Sequence, residues 1–87
     1  MTPNSWVLVK YCTKKIVRYF VGMVMEAFDD GWTVKFTKFS KNRFSWPKFE
    51  DMDTVGQSDI VMVLPEPAID RRGTFVFPVS FEGYNFT

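Results

Sequence analysis

Short segments of β-branched and aromatic residues, separated by turn residues, occupy most of this sequence. Residues 32–39 show the alternation most clearly: Trp32, Val34 and Phe36 are predicted on one face of a strand, and the residues between them on the other. No apolar stripe with a helical period runs over ten residues. We therefore predict an all-β fold, with strands at residues 5–11, 16–28, 32–39, 43–46 and 59–64.

Tight turns connect the predicted strands. Asp29, Asp30 and Gly31 are typical of a hairpin turn, because Gly tolerates the positive φ angle that such a turn needs. Gly22, in the middle of a long predicted strand, indicates a bulge or the close approach of another backbone. Since an open apolar sheet would pair with other chains at its edges, we expect the strands to curl into a small β-barrel.

The predicted barrel spans residues 5–64, with a polar, acidic loop at residues 48–58 and a buried closing strand after that loop. Residues 65–87 form a C-terminal extension. Within this extension, residues 74–81 are apolar enough to be ordered as a further strand. Pro78 lacks an amide donor, so this strand is expected at a sheet edge, packed on its own barrel or on a partner.

The composition argues against an enzyme. At 87 residues the chain is expected to be one domain, with little room for a catalytic cleft beside a cofactor domain. Histidine is absent, which removes the commonest general base and zinc ligand, and the single cysteine, Cys12, excludes an internal disulfide. Phosphate-binding glycine motifs are also missing. Glu50, Asp51 and Asp53 are interpreted as a solvated acidic loop, so no catalytic residue, metal or cofactor is expected.

The sequence contains no apolar run near the roughly 20 residues that a membrane-spanning helix requires. Its first residues lack the basic and apolar regions of a signal peptide. We therefore expect an intracellular protein that is neither secreted nor in contact with a membrane.

The charges are unevenly distributed along the chain. Residues 10–48 contain nine basic and three acidic side chains, whereas residues 49–70 contain six acidic side chains and no basic one. Two interpretations remain open: the basic part forms an anion-binding surface, or the two parts neutralise each other across neighbouring strands. In the first case, the alternation of basic and aromatic residues is typical of a barrel that binds single-stranded nucleic acid. The candidate residues for DNA or RNA binding are Lys35, Lys38, Lys41, Arg43 and Lys48.

Aromatic residues at the ends of the predicted strands carry a resemblance to a known family. An aromatic residue closes one strand, another opens the next, and two more follow three residues apart, with an Asn just beyond. These residues are Tyr11, Phe20, Phe36, Phe39 and Asn42, followed later by the pair Asp59-Ile60. Residues 6–64 thereby resemble a Tudor domain of the SH3-like barrel class. Beyond them, Pro65-Glu66-Pro67 followed by an aromatic strand resembles segments of transposon-derived proteins.

The Tudor resemblance implies a non-catalytic recognition module. In this family the aromatic residues form a cage around a methylated Lys or Arg side chain, which the five residues named above would form here, with Asn42 as the polar contact. The resemblance also implies a methylated, histone-type peptide as partner and a nuclear, chromatin-associated protein. The alternatives are a nucleic-acid-binding barrel and a protein-interaction domain, either monomeric or dimerising through residues 74–81.

The same aromatic residues are candidates for the core. Phe36 lies on the apolar face of its predicted strand, so we expect it to be buried. Tyr11 and Phe39 lie at strand ends, so that a position in the core and a position in the cage are both possible for each of them. Of the neighbours Tyr19 and Phe20, the resemblance favours Phe20 as the exposed one. The three tryptophans, Trp6, Trp32 and Trp46, are expected to pack in the core.

Overall fold

The computed structural model describes residues 1–86, which fold into antiparallel strands and one turn of 3₁₀-helix. The elements are β1 (Trp6–Cys12), β2 (Val17–Phe28), β3 (Gly31–Phe36), β4 (Lys38–Ser40), β5 (Arg43–Ser45), β6 (Met52–Val55), the 3₁₀ turn (Gln57–Asp59), β7 (Ile60–Leu64), β8 (Ala68–Ile69) and β9 (Thr74–Val76). The predicted all-β class is confirmed. No helix in the described residues is long and apolar enough to cross a membrane.

The strands form two sheets. The larger sheet has the order β6-β3-β2-β1-β7, and the smaller has the order β4-β5-β9-β8. Within residues 1–86 the hydrogen-bonded strands do not close into a barrel, because β6 and β7 remain at opposite edges of the larger sheet. The 3₁₀ turn connects these two edge strands, which makes the arrangement barrel-like but open.

Strand β1 lies between β2 and β7 in the larger sheet, and its first four residues are buried on both faces. Its residues Trp6 to Val9 are at most 7% exposed, although successive side chains of a strand point to opposite sides. The odd-numbered side chains join a cluster that we call the valine core. The even-numbered ones join a second cluster, the aromatic core. The valine core consists of Val7, Val9, Val24, Val34, Phe36 and Val55, and the aromatic core of Trp6, Leu8, Val21, Phe44, Leu64, Phe75 and Phe77.

The aromatic core lies between the two sheets and is covered further by half-buried rings. Tyr19 and Trp46 pack against it from the strand side, and Phe81, Tyr84 and Phe86 pack against it from the C-terminal segment. Trp32 packs instead against the valine core. All three tryptophans therefore pack in or against a core, as expected from the sequence.

The predicted strand 32–39 is interrupted at Thr37. Both the backbone N–H and the hydroxyl of this buried residue donate to the carbonyl oxygen of Val21, at 2.9 and 2.8 Å. The chain leaves the larger sheet here and continues in the smaller one as β4. The single alternating strand was therefore a wrong prediction, and its last part faces a different core.

Two turn predictions have different outcomes. Lys41 and Asn42 connect β4 to β5 with φ angles of 52° and 61°, the signature of a type I′ hairpin turn. Gly31 was expected at a positive φ angle, but it is the first residue of β3 and its φ angle is not positive. Its Cβ would lie 2.6 Å from the carbonyl oxygen of Val55, so that Gly is required there for space.

Gly22 confirms the predicted close approach. A Cβ at this buried position would overlap the side chain of Val34 and lie 2.8 Å from the carbonyl oxygen of Lys35. The bulge of the β2–β3 pair is elsewhere, at the register shift between Val24 and Glu26. Gly22, which is paired with Phe36, thus leaves room for the side chain of Val34 on the neighbouring strand β3.

Three predictions for the second half of the chain were wrong. The loop at residues 48–58 contains β6, which pairs with β3. The closing strand β7 is an edge strand instead of a buried one, and its Val63 is 56% exposed. Strand β9 lies between β5 and β8, not at an edge, and Pro78 follows after its end. Each error arose because strand neighbours, which decide burial and edge position, cannot be seen in local patterns.

Candidate functional site

The valine core is open at one end, beside the β1–β2 turn. Along β1, the fully buried Val7 and Val9 are followed on the same face by Tyr11, which is 40% exposed. The β1–β2 register places Phe20 opposite Val9, and Phe36 of β3 pairs with Gly22 on the same face of the sheet. The interior therefore changes from aliphatic to aromatic side chains toward this end.

Three rings stand in a row at the opening. Tyr11 and Phe20 meet edge to face with their centroids 5.4 Å apart, and Phe20 and Phe36 lie 5.9 Å apart at 67°. They border an open cavity of about 470 Å³. The complete lining is Tyr11, Thr13, Ile16, Arg18, Phe20, Phe36, Asp51 and Asp53.

Strand β6 and the residue before it supply the carboxylates of this cavity. Asp53 pairs with Val34 and therefore shares the face of the valine core. Asp51 precedes β6, and its carbonyl oxygen accepts a hydrogen bond of 2.7 Å from the backbone N–H of Phe36. Both aspartates are exposed at the cavity wall. The cavity thus combines aromatic ring faces with negative charge.

A hydrogen bond holds the outermost ring. The hydroxyl of Tyr11 donates to Oδ2 of Asp53 at 2.7 Å, linking β1 to β6 across the opening. This bond, together with burial and the nearby charges of Asp53, Asp59 and Asp51, raises the pKa of Tyr11 to about 12. The same bond and a backbone N–H of Thr54 lower the pKa of Asp53. Tyr11 is therefore a fixed, neutral wall of a site surrounded by carboxylates.

The turn between β1 and β2 forms the remaining rim. Thr13 organises it: its Oγ1 accepts hydrogen bonds from the backbone N–H groups of Lys15 and Ile16, at 3.4 and 3.1 Å. The backbone N–H of Thr13 also donates to the carbonyl oxygen of Ile16 at 2.8 Å. Lys14 and Lys15 occupy the tip of this turn, between two residues that line the cavity.

The five predicted cage residues fall into two places. Tyr11, Phe20 and Phe36 line the same cavity, and Phe36 is at the same time only 4% exposed, as the core prediction required. Phe39 and Asn42 do not line this cavity, because the break at Thr37 carries them to the smaller sheet. Phe39 instead borders an adjacent cavity, which it shares with Phe20 and Asp51. Phe39 packs there against Phe44 and Phe86, with centroids 4.9 and 5.2 Å away.

Asn42 occupies the second position of the β4–β5 turn. It borders a different cavity of about 490 Å³, which it shares with Phe39 and the C-terminal segment. The neighbours Tyr19 and Phe20 lie on opposite faces, as alternation requires, but neither is the exposed one: both are half-buried. Tyr19 contacts the ring of Tyr84 at 4.8 Å on the side of the aromatic core.

Sequence reasoning missed five residues of the cavity: Thr13, Ile16, Arg18, Asp51 and Asp53. The two aspartates were interpreted as a solvated loop. A signal was nevertheless present, since Asp51, Asp53 and Val55 alternate with a period of two and are bounded by Gly56. A polar strand of this kind gives a weak pattern, because only its last residue is buried.

The candidate nucleic-acid-binding residues do not form one continuous surface. Lys35 is engaged on β3, with its Nζ 3.5 Å from Oε1 of Glu50 and 4.5 Å from the ring centre of Trp46. Lys48 stands over the ring of Phe49 at 5.7 Å. Lys38 and Arg43 are exposed on the β4–β5 hairpin, on the face opposite Phe39. Part of the basic segment is thus neutralised by acidic neighbours, and part of it is available.

The cavity next to the β1–β2 turn has the chemistry of a cation site. Aromatic rings attract cations, and the two carboxylates outnumber the single guanidinium of Arg18 in the cavity lining. In residues 1–86 no group of three or more His, Cys, Asp or Glu side chains is placed to hold a metal ion. Compared with models of known protein families, with curated proteins and with solved structures, the chain gives no match.

Proposed function

We propose that this protein is a non-catalytic recognition module of the Tudor-like type, which binds a methylated Lys or Arg side chain of a partner peptide. The observation that carries the proposal is the cavity in which Tyr11, Phe20 and Phe36 meet Asp51 and Asp53. The all-β architecture fits the resemblance seen in the sequence. A nuclear, chromatin-associated role is part of this proposal.

The proposed binding depends on the weak hydration of a methylated cation. Methyl groups keep the positive charge of Lys or Arg but reduce its hydration, so an aromatic surface competes better with water. Each favourable contact of a cation with a ring face contributes about 0.5–2 kcal/mol, depending on how dry the site is. The carboxylates of Asp51 and Asp53 add an attraction that draws cations toward the opening.

The test is an NMR titration with peptides that differ only in the methylation of one Lys or one Arg. We expect the backbone amides of residues 11–20 and 51–53 to shift with the methylated peptides, and to shift less with the unmodified ones. Tyr11→Ala is expected to weaken binding about tenfold or more through the loss of a ring and of the link to Asp53.

Phe28→Ala is the matched control. Phe28 lies at the far end of β2 and is 51% exposed, so its truncation removes an aromatic ring without touching the cavity. Equal binding of methylated and unmodified peptides would overturn the proposal. So would a loss of binding in Phe28→Ala as large as that in Tyr11→Ala.

A nucleic-acid-binding surface is the second candidate. The observation in its favour is that Lys38 and Arg43 are exposed on one face of the β4–β5 hairpin. Reversing Lys35, Lys38 and Arg43 to Glu should abolish binding of a single-stranded oligonucleotide, and wild-type binding should fall steeply with salt. Circular dichroism checks that the variant is folded, because Lys35 also contacts Glu50 and Trp46. Binding that survives the triple reversal would exclude this function.

A dimerisation domain that uses residues 74–81 receives less support. Strand β9 already pairs with β5 on one side and β8 on the other, so it offers no free edge to a second copy. Size-exclusion chromatography distinguishes this alternative, since it requires a dimer.

A further inference from the structure

Residues of both charge signs surround the cavity. Asp51 and Asp53 line it, and Asp59 lies close enough to contribute to the field at Tyr11. Lys14 and Lys15 are exposed at the tip of the β1–β2 turn, between Thr13 and Ile16, which also line the cavity. A ligand that fills the cavity therefore meets an acidic wall and a basic rim at the same time.

Arg18 extends the basic rim into the cavity itself. It pairs with Tyr11 across β1 and β2, so both side chains lie on the face of the valine core, and both line the cavity. We define the basic rim as Lys14, Lys15 and Arg18.

The basic rim is ordered and unpaired in charge. Thr13 fixes the turn through the hydrogen bonds described above. Among the described residues, the ion pair of Lys35 with Glu50 is the only one with a nitrogen–oxygen distance within 4 Å. Within the described part of the chain, the basic rim therefore forms no ion pair within 4 Å, although Asp51 and Asp53 line the same cavity as Arg18.

We propose that the ligand is a peptide in which an acidic residue lies within two residues of the methylated basic residue, so that its carboxylate lies on the basic rim while the methylated cation lies among the rings and Asp51 and Asp53. This inference rests on the proposed function and narrows its substrate class to acidic sequences around the methylated side chain. The geometry favours a zwitterionic segment over a purely basic one.

The spacing of an extended peptide suits this arrangement. Residues two apart in an extended chain project to the same side at a separation of about 7 Å. With this spacing both side chains can face the protein, the cation in the cavity and the carboxylate at its rim. Like charges would instead be brought together if a second Lys or Arg occupied that position, which disfavours basic flanks.

Fluorescence polarisation with three labelled peptides tests the inference. All carry the same trimethyl-lysine, and the residues one and two positions away on both sides are Ala, Glu or Lys. Each peptide is also measured with unmodified lysine at the central position. At low salt we expect the Glu peptide to bind about fivefold or more tightly than the Ala peptide, and the Lys peptide to bind more weakly than either. Raising the salt concentration should reduce the difference between the Glu and Ala peptides.

Charge reversal of the turn supplies the matched variants. In Lys14→Glu/Lys15→Glu both lysines are exposed, so the fold is retained, and the preference for Glu flanks should disappear or invert. Lys41→Glu is the control, because Lys41 is also an exposed lysine of a hairpin turn but belongs to the β4–β5 turn. It should leave the order of the three peptides unchanged.

The outcomes separate this inference from the proposed function. If the three peptides bind equally well and binding still depends on methylation, the preference for an acidic flank is refuted, but the proposed cation site is not. A preference for Glu flanks that survives the Lys14→Glu/Lys15→Glu reversal would also overturn it. Binding of the Glu peptide regardless of methylation would overturn the proposed function, and with it the zwitterionic ligand.

Discussion

The cavity and the aromatic core both contain aromatic side chains, but those of the cavity border open space and those of the core are packed against one another. In the cavity, Tyr11 and Phe20 stand beside open space and carboxylates. In the aromatic core, Phe44 has the rings of four other phenylalanines within 6 Å and is only 7% exposed. Those four are Phe39, Phe77, Phe81 and Phe86.

The difference lies in what stands opposite each ring. The aromatic core is covered by the second sheet and by the C-terminal segment, so its rings meet other rings. The open end of the valine core faces the polar strand β6, so its rings meet Asp53 and solvent. An aromatic residue therefore becomes a wall of a site or part of a core through its neighbours, which for Phe39 were decided by the break at Thr37.

The strongest test of this contrast is Phe44→Ala against Tyr11→Ala. Removing Phe44 leaves a cavity among packed rings, so we expect a loss of about 3–5 kcal/mol in the free energy of unfolding. That is a large part of the stability of a small domain. Tyr11→Ala should change it by less than about 1 kcal/mol. Urea unfolding measures both variants, and equal losses would contradict the division into core and site.

Gly22→Ala tests whether the close contact between the neighbouring strands β2 and β3 keeps the cavity in shape. The added methyl group would press on Val34 and on the carbonyl oxygen of Lys35. We expect a loss of about 1–3 kcal/mol from this overpacking, together with weaker binding of the methylated peptide as Phe36 moves. Gly56→Ala is the control, since its nearest contact would be an ordinary 3.6 Å. An unchanged melting temperature for Gly22→Ala would refute the steric argument.

Thr37→Val tests the break that separates the two aromatic regions. The variant keeps the shape of the side chain but removes the hydroxyl bond to the carbonyl oxygen of Val21, while the backbone N–H still donates to that oxygen. We expect a loss of about 1 kcal/mol in thermal or urea unfolding. Thr33→Val on the preceding strand, which removes no such bond, should have a smaller effect. The reverse order would show that the hydroxyl does not hold the break.

The smallest effect concerns the pH dependence of Tyr11. Since its pKa is raised to about 12, the Tyr11–Asp53 bond stabilises the fold fully below pH 10 and loses this contribution as the pH rises through about 12. At the acid end, the lowered pKa of Asp53 means that the contribution is lost as the pH falls through that lowered value. A ¹³C NMR titration of the Tyr11 ring should have its midpoint near pH 12.

Asp53→Ala provides the control for that titration. It should move the midpoint back toward the usual value of 10, because the hydrogen bond to Asp53 is the largest cause of the shift. A wild-type midpoint already near 10 would show that the bond is absent in solution.

The elements with strong alternation could be predicted from the sequence. Strands β1 and β2 lie within one residue of their predicted bounds, and Phe36 is buried as its face required. The close approach at Gly22 was also predictable, because a Gly inside an apolar strand commonly marks a bulge or a closely packed neighbour. Local patterns sufficed wherever one strand's own residues decided the outcome.

The features that could not be predicted from the sequence depend on pairing between residues far apart in the chain. Strand β6 exists because it pairs with β3, although its own residues resemble a loop. The separation of Phe39 from the cavity depends on one buried threonine that bonds to Val21, sixteen residues earlier in the chain. The acidic wall was missed for the same reason, since Asp53 belongs to the site only through its partners Val34 and Tyr11.

The position of β1 between β2 and β7 has a consequence for the time course of folding. The β1–β2 hairpin can form within roughly microseconds, but β1 also needs β7, whose Leu64 pairs with Trp6. Folds dominated by such distant pairings complete in roughly milliseconds to seconds. During that interval one edge of the most apolar strand stays unpaired, and the chain is then most prone to aggregate.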